Sequence, residues 1–297
     1  AVTSFNTAFL NQPANGTWIL RFQDGWSGDV GSVTSANLLL LENGATRTVT
    51  KVADTNDGVC DADCSLREAI AVAAPGDLVA FASPFFDSPR AIVLGGTELA
   101  IDKSLAIAGP GAHRLTISAN RLSRVFAVSG VNRVTLTGMR LTDGNASAGG
   151  AIRLVEAALL VSGCEISNSR AGFGGGILAN ASTPSPDLRI YDSSIIGNVA
   201  DDNGLPVNAG GILANGSVKL VRVTVSGNHS PAVQGAAGVY SQFEAPLIED
   251  TTVTGNRGGT SAGGVATTSG VALSLRNSVL AGNRTGSGAT TDIGGTA

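Results

Sequence analysis

The chain has 297 residues, of which 43% are hydrophobic, 14% charged and 40 glycine, with a formal net charge of −4. It is too apolar and too weakly charged for a disordered chain, and it offers no positive excess to hold nucleic acid or an anionic membrane surface. No run approaches the ~20 apolar residues of a membrane span; no secretory signal is legible, and a start at Ala1 rather than Met is expected to reflect a processed or trimmed N-terminus.

Residues 5–44 predict three strands with turns between them. Asn15-Gly16 is a turn signal leading into the strand Thr17 to Phe22, and Ser27-Gly28-Asp29 leads to a third strand ending at Leu38 to Leu41. Both tryptophans, Trp18 and Trp26, fall here. The segments NGTW (15–18), Leu20-Arg21-Phe22, Asp24 and GDVGSV (28–33) resemble the closing strands of the P domain, the jelly-roll module that follows the catalytic domain in proprotein convertases and many bacterial proteases. The resemblance covers about forty residues, too few to bury a jelly-roll core alone. It implies a protease context, yet both histidines, His113 and His229, fall in the later repeats, where no serine-protease triad is built.

Residues 49–77 predict a cap. Ser65-Leu66-Arg67-Glu68 is a capping box, and Leu66, Ala69, Ile70 and Ala73 give a short helix one apolar side, ended by Ala74-Pro75-Gly76. The run CSLREAI (64–70), with an acidic cysteine-containing stretch before it, resembles the CSLREA segment of bacterial secreted and surface β-helix proteins. That resemblance implies an oxidising compartment, in which Cys60 and Cys64 would pair as a disulfide rather than stay as free thiols. Asp54, Asn56, Asp57, Asp61 and Asp63 crowd the same loop. They offer oxygen donors for a possible Ca²⁺, though not at EF-hand spacing, with a solvated acidic turn as the alternative.

From there the chain repeats. Two less regular coils use Ile92/Leu94 with Leu99/Ile101 and Leu105/Ile107 with Leu115/Ile117. Six regular copies follow: GMRLTDG (138–144), GCEISNS (163–169), DSSIIGN (192–198), RVTVSGN (222–228), DTTVTGN (250–256) and NSVLAGN (277–283). Their fourth positions, Leu141, Ile166, Ile195, Val225, Val253 and Leu280, are separated by 25, 29, 30, 28 and 27 residues. A near-constant step of that size is the mark of a solenoid. Upstream pairs such as Val134/Leu136 and Leu159/Val161 have the period of two of a strand. Downstream, a small-residue step precedes another aliphatic, as in GGAI (149–152) and GGGI (174–177). Three short strands per repeat, with no helical spacing, predict an all-β, right-handed parallel β-helix of seven or eight coils, roughly 35 Å long. The domain reading is 1–45 a partial P-domain-like β segment, 46–80 the CSLREA cap with its helix, and 81–297 the β-helix.

Stacking turns equivalent positions into ladders. Asn198, Asn228, Asn256 and Asn283 occupy one turn position, where asparagine tolerates a left-handed backbone and its amide bonds along the stack. They resemble the asparagine ladder of right-handed parallel β-helices. Cys164 shares a row with Met139, Ser193, Val223, Thr251 and Ser278 and reads as a small buried filler.

Polysaccharide lyases and hydrolases are familiar on this fold. A lyase needs calcium-binding carboxylates on adjacent coils with a basic residue nearby, and a glycosidase two carboxylates about one bond. The outward rows Arg140–Glu165 and Asp192–Arg222–Asp250 instead alternate charge, so no catalytic residue is assigned. The longest insertions, 181–187 and 199–208, bring Asp187, Asp201 and Asp202 to adjacent coils as a possible cation or saccharide site; two solvated loops are the alternative. Six Asn-x-Ser/Thr triplets begin at Asn15, Asn145, Asn180, Asn215, Asn228 and Asn283, mostly turn asparagines.

The last residues show no closing helix or polar terminal repeat, so both ends read as unfinished. The expected partners are a continuation of the chain or further copies of it, with a polysaccharide as a possible ligand. The sequence thus points to an extracellular or surface-displayed structural or adhesive rod, conceivably a fibre subunit. A polysaccharide-binding or polysaccharide-degrading β-helix is the alternative, and an accessory region of a secreted protease a third reading. No cofactor beyond the possible Ca²⁺ is implied.

Overall fold

The computed structural model describes residues 44–180, 185–201, 207–231, 233–260 and 262–294. The P-domain-like segment therefore lies outside the described residues, apart from its last two positions. The remainder is a parallel β-helix of about eight turns. Three long sheets run its length, one of nine strands and two of eight, and every strand pairing between neighbouring coils in them is parallel.

One coil shows why these residues form these elements. Arg133–Thr137 lies in the first sheet, Arg140–Thr142 in the second and Ile152–Val155 in the third, before Ala158–Ser162 begins the next coil beside Arg133–Thr137. Alternation sets the faces: in Arg133–Thr137 only Val134 and Leu136 are buried. Register then stacks like on like. Leu136, Val161, Ile190, Leu220 and Ile248 form one inward row. Leu141, Ile166, Ile195, Val225, Val253 and Leu280 form a second, and Ile152, Ile177, Ile212, Val239 and Val265 a third. These rows make one continuous core, each fully buried aliphatic giving about 1.5–3 kcal/mol before entropy. A one-residue slip of any strand would turn its row to solvent, so the register is strongly specified.

The corners fix the backbone. Gly138, Gly163, Asp192, Arg222, Asp250 and Asn277 all have positive φ between the first and second sheets, as do Gly197, Gly227, Gly255 and Gly282 after the second. The ladder asparagines are not among them. The left-handed turn sits one residue earlier, which corrects the expectation that Asn198 and its equivalents adopt it. Their selection rests on the side-chain amide alone.

The small-residue step has a packing cause. Gly176, Gly211, Gly238 and Gly264 lie against the amides of Asn198, Asn228, Asn256 and Asn283 respectively. A Cβ on Gly211 would come within 2.4 Å of the Gly238 carbonyl oxygen and 3.3 Å of Asn228 Nδ2. Outside the core, Leu178, Leu213 and Tyr240 pack with Ala209, Ala236 and Ala262 in a second, smaller apolar cluster. Short strands at Asn145–Ala148, Arg170–Phe173 and Val199–Ala200 line the same corner.

Gly211→Ala is expected to destabilise the chain by about 1–3 kcal/mol, the usual cost of overpacking a filled interior. A urea unfolding curve with its midpoint unchanged would contradict this packing.

Candidate functional site

Two polar constellations stand out inside an otherwise apolar rod. The first is the ladder. The Ser169 amide donates to Asn198 Oδ1 at 3.0 Å, that of Asn198 to Asn228 Oδ1 at 3.0 Å, and that of Asn228 to Asn256 Oδ1 at 2.9 Å. The Asn256 amide continues to Asn283 Oδ1 at 3.1 Å. Each asparagine Nδ2 bonds the next coil's Oδ1 and a carbonyl of the coil before, as Asn228 does to Asn256 at 2.9 Å and to the Ile195 oxygen at 2.9 Å. Both Nδ2 hydrogens of each asparagine are thereby engaged, as are both Oδ1 lone pairs of Asn228, Asn256 and Asn283, while Asn198 Oδ1 accepts from the Ser169 amide. All four asparagines are buried, which leaves Asn228 and Asn283 unavailable as glycosylation acceptors in the folded chain.

The chain of bonds has a direction. Each ladder backbone amide and one hydrogen of each Nδ2 donate toward the C-terminal coil, so the last asparagine would present two unmatched donors. Asp292 supplies the acceptor: its Oδ1 receives the Asn283 backbone amide at 3.0 Å and Asn283 Nδ2 at 2.9 Å. Sequence reasoning missed Asp292, and expected no polar closure there, because it comes only nine residues after Asn283 rather than a full repeat later. The row of Cys164, Ser193, Thr251 and Ser278 was legible, but the bonds its hydroxyls accept were not. Ser193, Thr251 and Ser278 accept from the amides of Cys164, Val223 and Thr251 at 3.1, 3.2 and 3.1 Å. Cys164 itself is buried and free, and burial pushes its thiol up to about 11, so it is not a nucleophile at neutral pH.

The second constellation is the N-terminal cap. Helix α1 (Leu66–Val72) buries Leu66, Ala69 and Ile70 against the core and packs on the strands Thr46–Val49, Leu78–Phe81 and Leu99–Ile101. Its capping box is closed: the Glu68 amide donates to Ser65 Oγ at 3.1 Å, and the Ser65 amide to Glu68 Oε2 at 2.6 Å. Cys60 and Cys64 form a disulfide that ties the acidic loop to this cap. Arg67 reaches across to hold Asp54 with two bonds, at 2.8 and 2.9 Å, and the carbonyls of Thr97 and Glu98. Lys103 Nζ donates to the carbonyls of Ile70, Ala71 and Ala73, covering the helix C-terminus.

The five donors read as a possible calcium site do not gather. Asp54 is turned to Arg67, Asp57 accepts from the Val59 amide, Asp61 from the Asp63 amide, and Asp63 pairs with Lys51; Asn56 is exposed. Among the described residues no three His, Cys, Asp or Glu side chains are grouped to hold a metal. The loop carboxylates are also apart. Asp187 opens a strand of the first sheet and pairs with Arg189 at 2.8 Å. Asp201 follows the corner strand Val199–Ala200 and pairs with Arg170. Asp202 lies outside the described residues.

Burial by itself would push the Glu68 carboxyl up. Hydrogen bonds from Ser65, from the Thr55 hydroxyl and from the Asp57 amide outweigh it and bring the group down from 4.5 to about 2. Asp77 behaves alike: burial raises it, but the Ala74 and Ala45 amides and the Arg47 guanidinium leave it lowered.

These features define a capped parallel β-helix whose interior polar groups are matched along its axis. No family model matches the chain, and no curated protein matches it. Among solved structures, the chain is similar to a pectate lyase, described as "Crystal structure of pectate lyase Pel9A". The identity is 12%, over 85% of this chain and 80% of that one, with a TM-score of 0.40. No statement about activity follows from that likeness.

The cap generates a pH prediction. Both carboxyls sit lower in the folded than in the unfolded chain, so their stabilisation is complete above their unfolded values and is lost as pH falls through the folded ones. Thermal unfolding followed from pH 7 down to pH 3 is expected to show a falling Tm. In Glu68→Gln the Tm starts lower and falls less; an identical pH slope in both proteins would refute the role given to Glu68.

Proposed function

We propose that the chain is an extracellular structural rod of the CSLREA-capped kind, a stiff module that carries or spaces something else. The observation that supports this reading is where the carboxylates point. Glu165, Asp187, Asp192 and Asp201 face Arg140, Arg189, Arg222 and Arg170. Asp54 and Asp77, at the cap, face Arg67 and Arg47. A glycosidase needs one carboxyl free to give a proton and another free to attack or to activate water. Carboxylates held by a guanidinium are fixed as charged acceptors and serve neither task well. The disulfide is compatible with secretion. Among the described residues no helix is long and apolar enough to cross a membrane.

Rods of this type grow by adding rungs. On the last full rung Leu275 is 38% exposed and Leu280 only partly buried, against complete burial of their stack partners Ile248 and Val253 one coil earlier. A further coil, whether of a longer chain or of a second copy, would cover them, and end-to-end assembly into a fibre is the form of the proposal that an isolated chain can test. The segment before residue 44 is proposed as a P-domain-like piece serving attachment; an accessory place in a secreted protease is its other use.

Incubation with acidic and neutral polysaccharides, with and without calcium, is expected to release no oligosaccharide, and turnover of any of them would overturn the structural reading. In light scattering, fibre assembly predicts a mass that rises with protein concentration. A strict monomer would remove the fibre from the proposal.

A further inference from the structure

Charged side chains stack on neighbouring rungs at several places in this rod: like charges meet at Arg189 and Lys219, where Asp187 pairs with Arg189, and at one corner two arginines stack without a carboxylate beside them. On the second sheet Arg140 sits one coil from Glu165, with 3.0 Å between them; at the adjoining turn Arg222 sits one coil from Asp192 at 2.6 Å. Opposite signs on neighbouring rungs are the stable choice, and like charges in that place repel. Immediately after the asparagine ladder the row runs Val199, His229, Arg257, Arg284, joined rung to rung by parallel bridges. Two arginines, both exposed, thus stack about 4.8 Å apart, with a histidine on the rung before them. Among the described residues neither arginine has a carboxylate in salt-bridge contact. Arg257 donates one bond, to the Gly286 carbonyl at 3.0 Å, and Arg284 has no side-chain bond among the described residues. In a chain of net charge −4 this is a local positive spot without an internal counterion.

The same place is concave. The loop after Arg284 turns back on itself, with Thr285 N donating to the Ala289 carbonyl at 2.8 Å and Thr290 meeting Arg284 antiparallel. It encloses an open notch of about 470 Å³, large enough for a sugar unit, with Arg257, Arg284, Thr285 and Ser287 on its walls. Gly255 and Gly282, also lining it, bring no side chain into the space. Thr285 Oγ1 and Ser287 Oγ lie 2.8 Å apart, a hydroxyl pair beside the guanidinium groups. Sequences break a local stability rule where function requires it. Guanidinium is the side chain whose planar fork matches carboxylate and sulfate oxygens in pairs.

We propose that this notch binds an anionic polysaccharide, its carboxylate or sulfate groups bridging Arg257 and Arg284 and its chain running along the rod toward His229. The row extends along the axis, which suits a linear polyanion better than a single small ion. The overall negative charge disfavours nucleic acid, whose binding grows with positive excess. This goes beyond the structural role proposed above and stands or falls separately from it: a rod without the site is still a rod.

The test is binding of the full chain, at low and at moderate salt, to a uronate polymer, a sulfated glycosaminoglycan, a neutral dextran and a DNA oligomer, followed by titration calorimetry. Either acidic polysaccharide is expected to bind, more weakly as salt rises, and the neutral one not. The two acidic arms tell carboxylate recognition from sulfate recognition. Arg257→Gln/Arg284→Gln is expected to lose at least tenfold in affinity, with a Tm equal to or above that of the parent because a repulsive pair has gone. Arg276→Gln, on the first sheet, should bind as the parent does. Binding to neither acidic polymer, tighter binding to DNA than to both, or unchanged affinity in the double variant would overturn the proposal. A double variant with a lowered Tm would equally contradict the claim that the pair is repulsive.

Discussion

A buried side-chain amide has two donors and an acceptor with two lone pairs, and an apolar interior offers them nothing. In this chain the partner is the same residue one coil away. That constraint, a side-chain amide matched to its neighbour at a fixed rung spacing, governs much of the rest. It requires parallel strands in strict register, since a slip of one residue removes the partner. It requires glycine opposite, because Gly176, Gly211, Gly238 and Gly264 leave room only for the amide and the neighbouring backbone. And it gives the ladder a direction, with the backbone amide and one Nδ2 hydrogen of each asparagine aimed at the following coil. Bonds in such a row polarise one another, and Asp292 stands at the donor end as a carboxylate stands at the first turn of a helix.

The opposite end meets a different problem, an apolar core with no coil before it. Helix α1 is only seven residues long and would not form alone in water. It is held by tertiary contacts at every point where a short helix is weak. Ser65 and Glu68 close its start, Lys103 covers its last carbonyls, and Arg67 ties it to Asp54 and to the carbonyls of Thr97 and Glu98. Arg67 and Glu68, adjacent in sequence, therefore do separate work: one clamps the helix sideways, the other fixes its first turn. Because Glu68 acts as a carboxylate held below its usual value, the cap contributes a pH-dependent part of the rod's stability.

Most of the fold was legible in the sequence. The step of the aliphatic fourth position maps directly onto strand register, and Leu141, Ile166 and Ile195 do meet as neighbours. Repeats are readable because each coil solves the same packing problem, so the same answer recurs at the same offset. What repeats do not carry was not legible. Asp292 completes the ladder from a short return loop rather than from a seventh copy, and Lys103 reaches the helix from a turn with no motif. The acidic loop suggested calcium because sequence shows donors, while the cation that engages Asp54, Arg67, arrives from the helix. Likewise Asp187 and Asp201 are near in sequence order of coils but lie on different parts of the coil, each beside its own arginine. The arginine pair at 257 and 284 was visible as letters, yet its significance needed the row that places the two on neighbouring rungs without a carboxylate between them.

The most direct measurement of this account is side-chain amide exchange by NMR. If the ladder is a continuous buried chain of bonds, the Nδ2 hydrogens of Asn198, Asn228 and Asn256 exchange with solvent only as slowly as the core backbone amides around them. Asn283, nearest the described end, should be the first of the four to exchange. Exchange of all four at the rate of exposed asparagines such as Asn56 would show that the stack is not bonded, and the structural explanation built on it would fail.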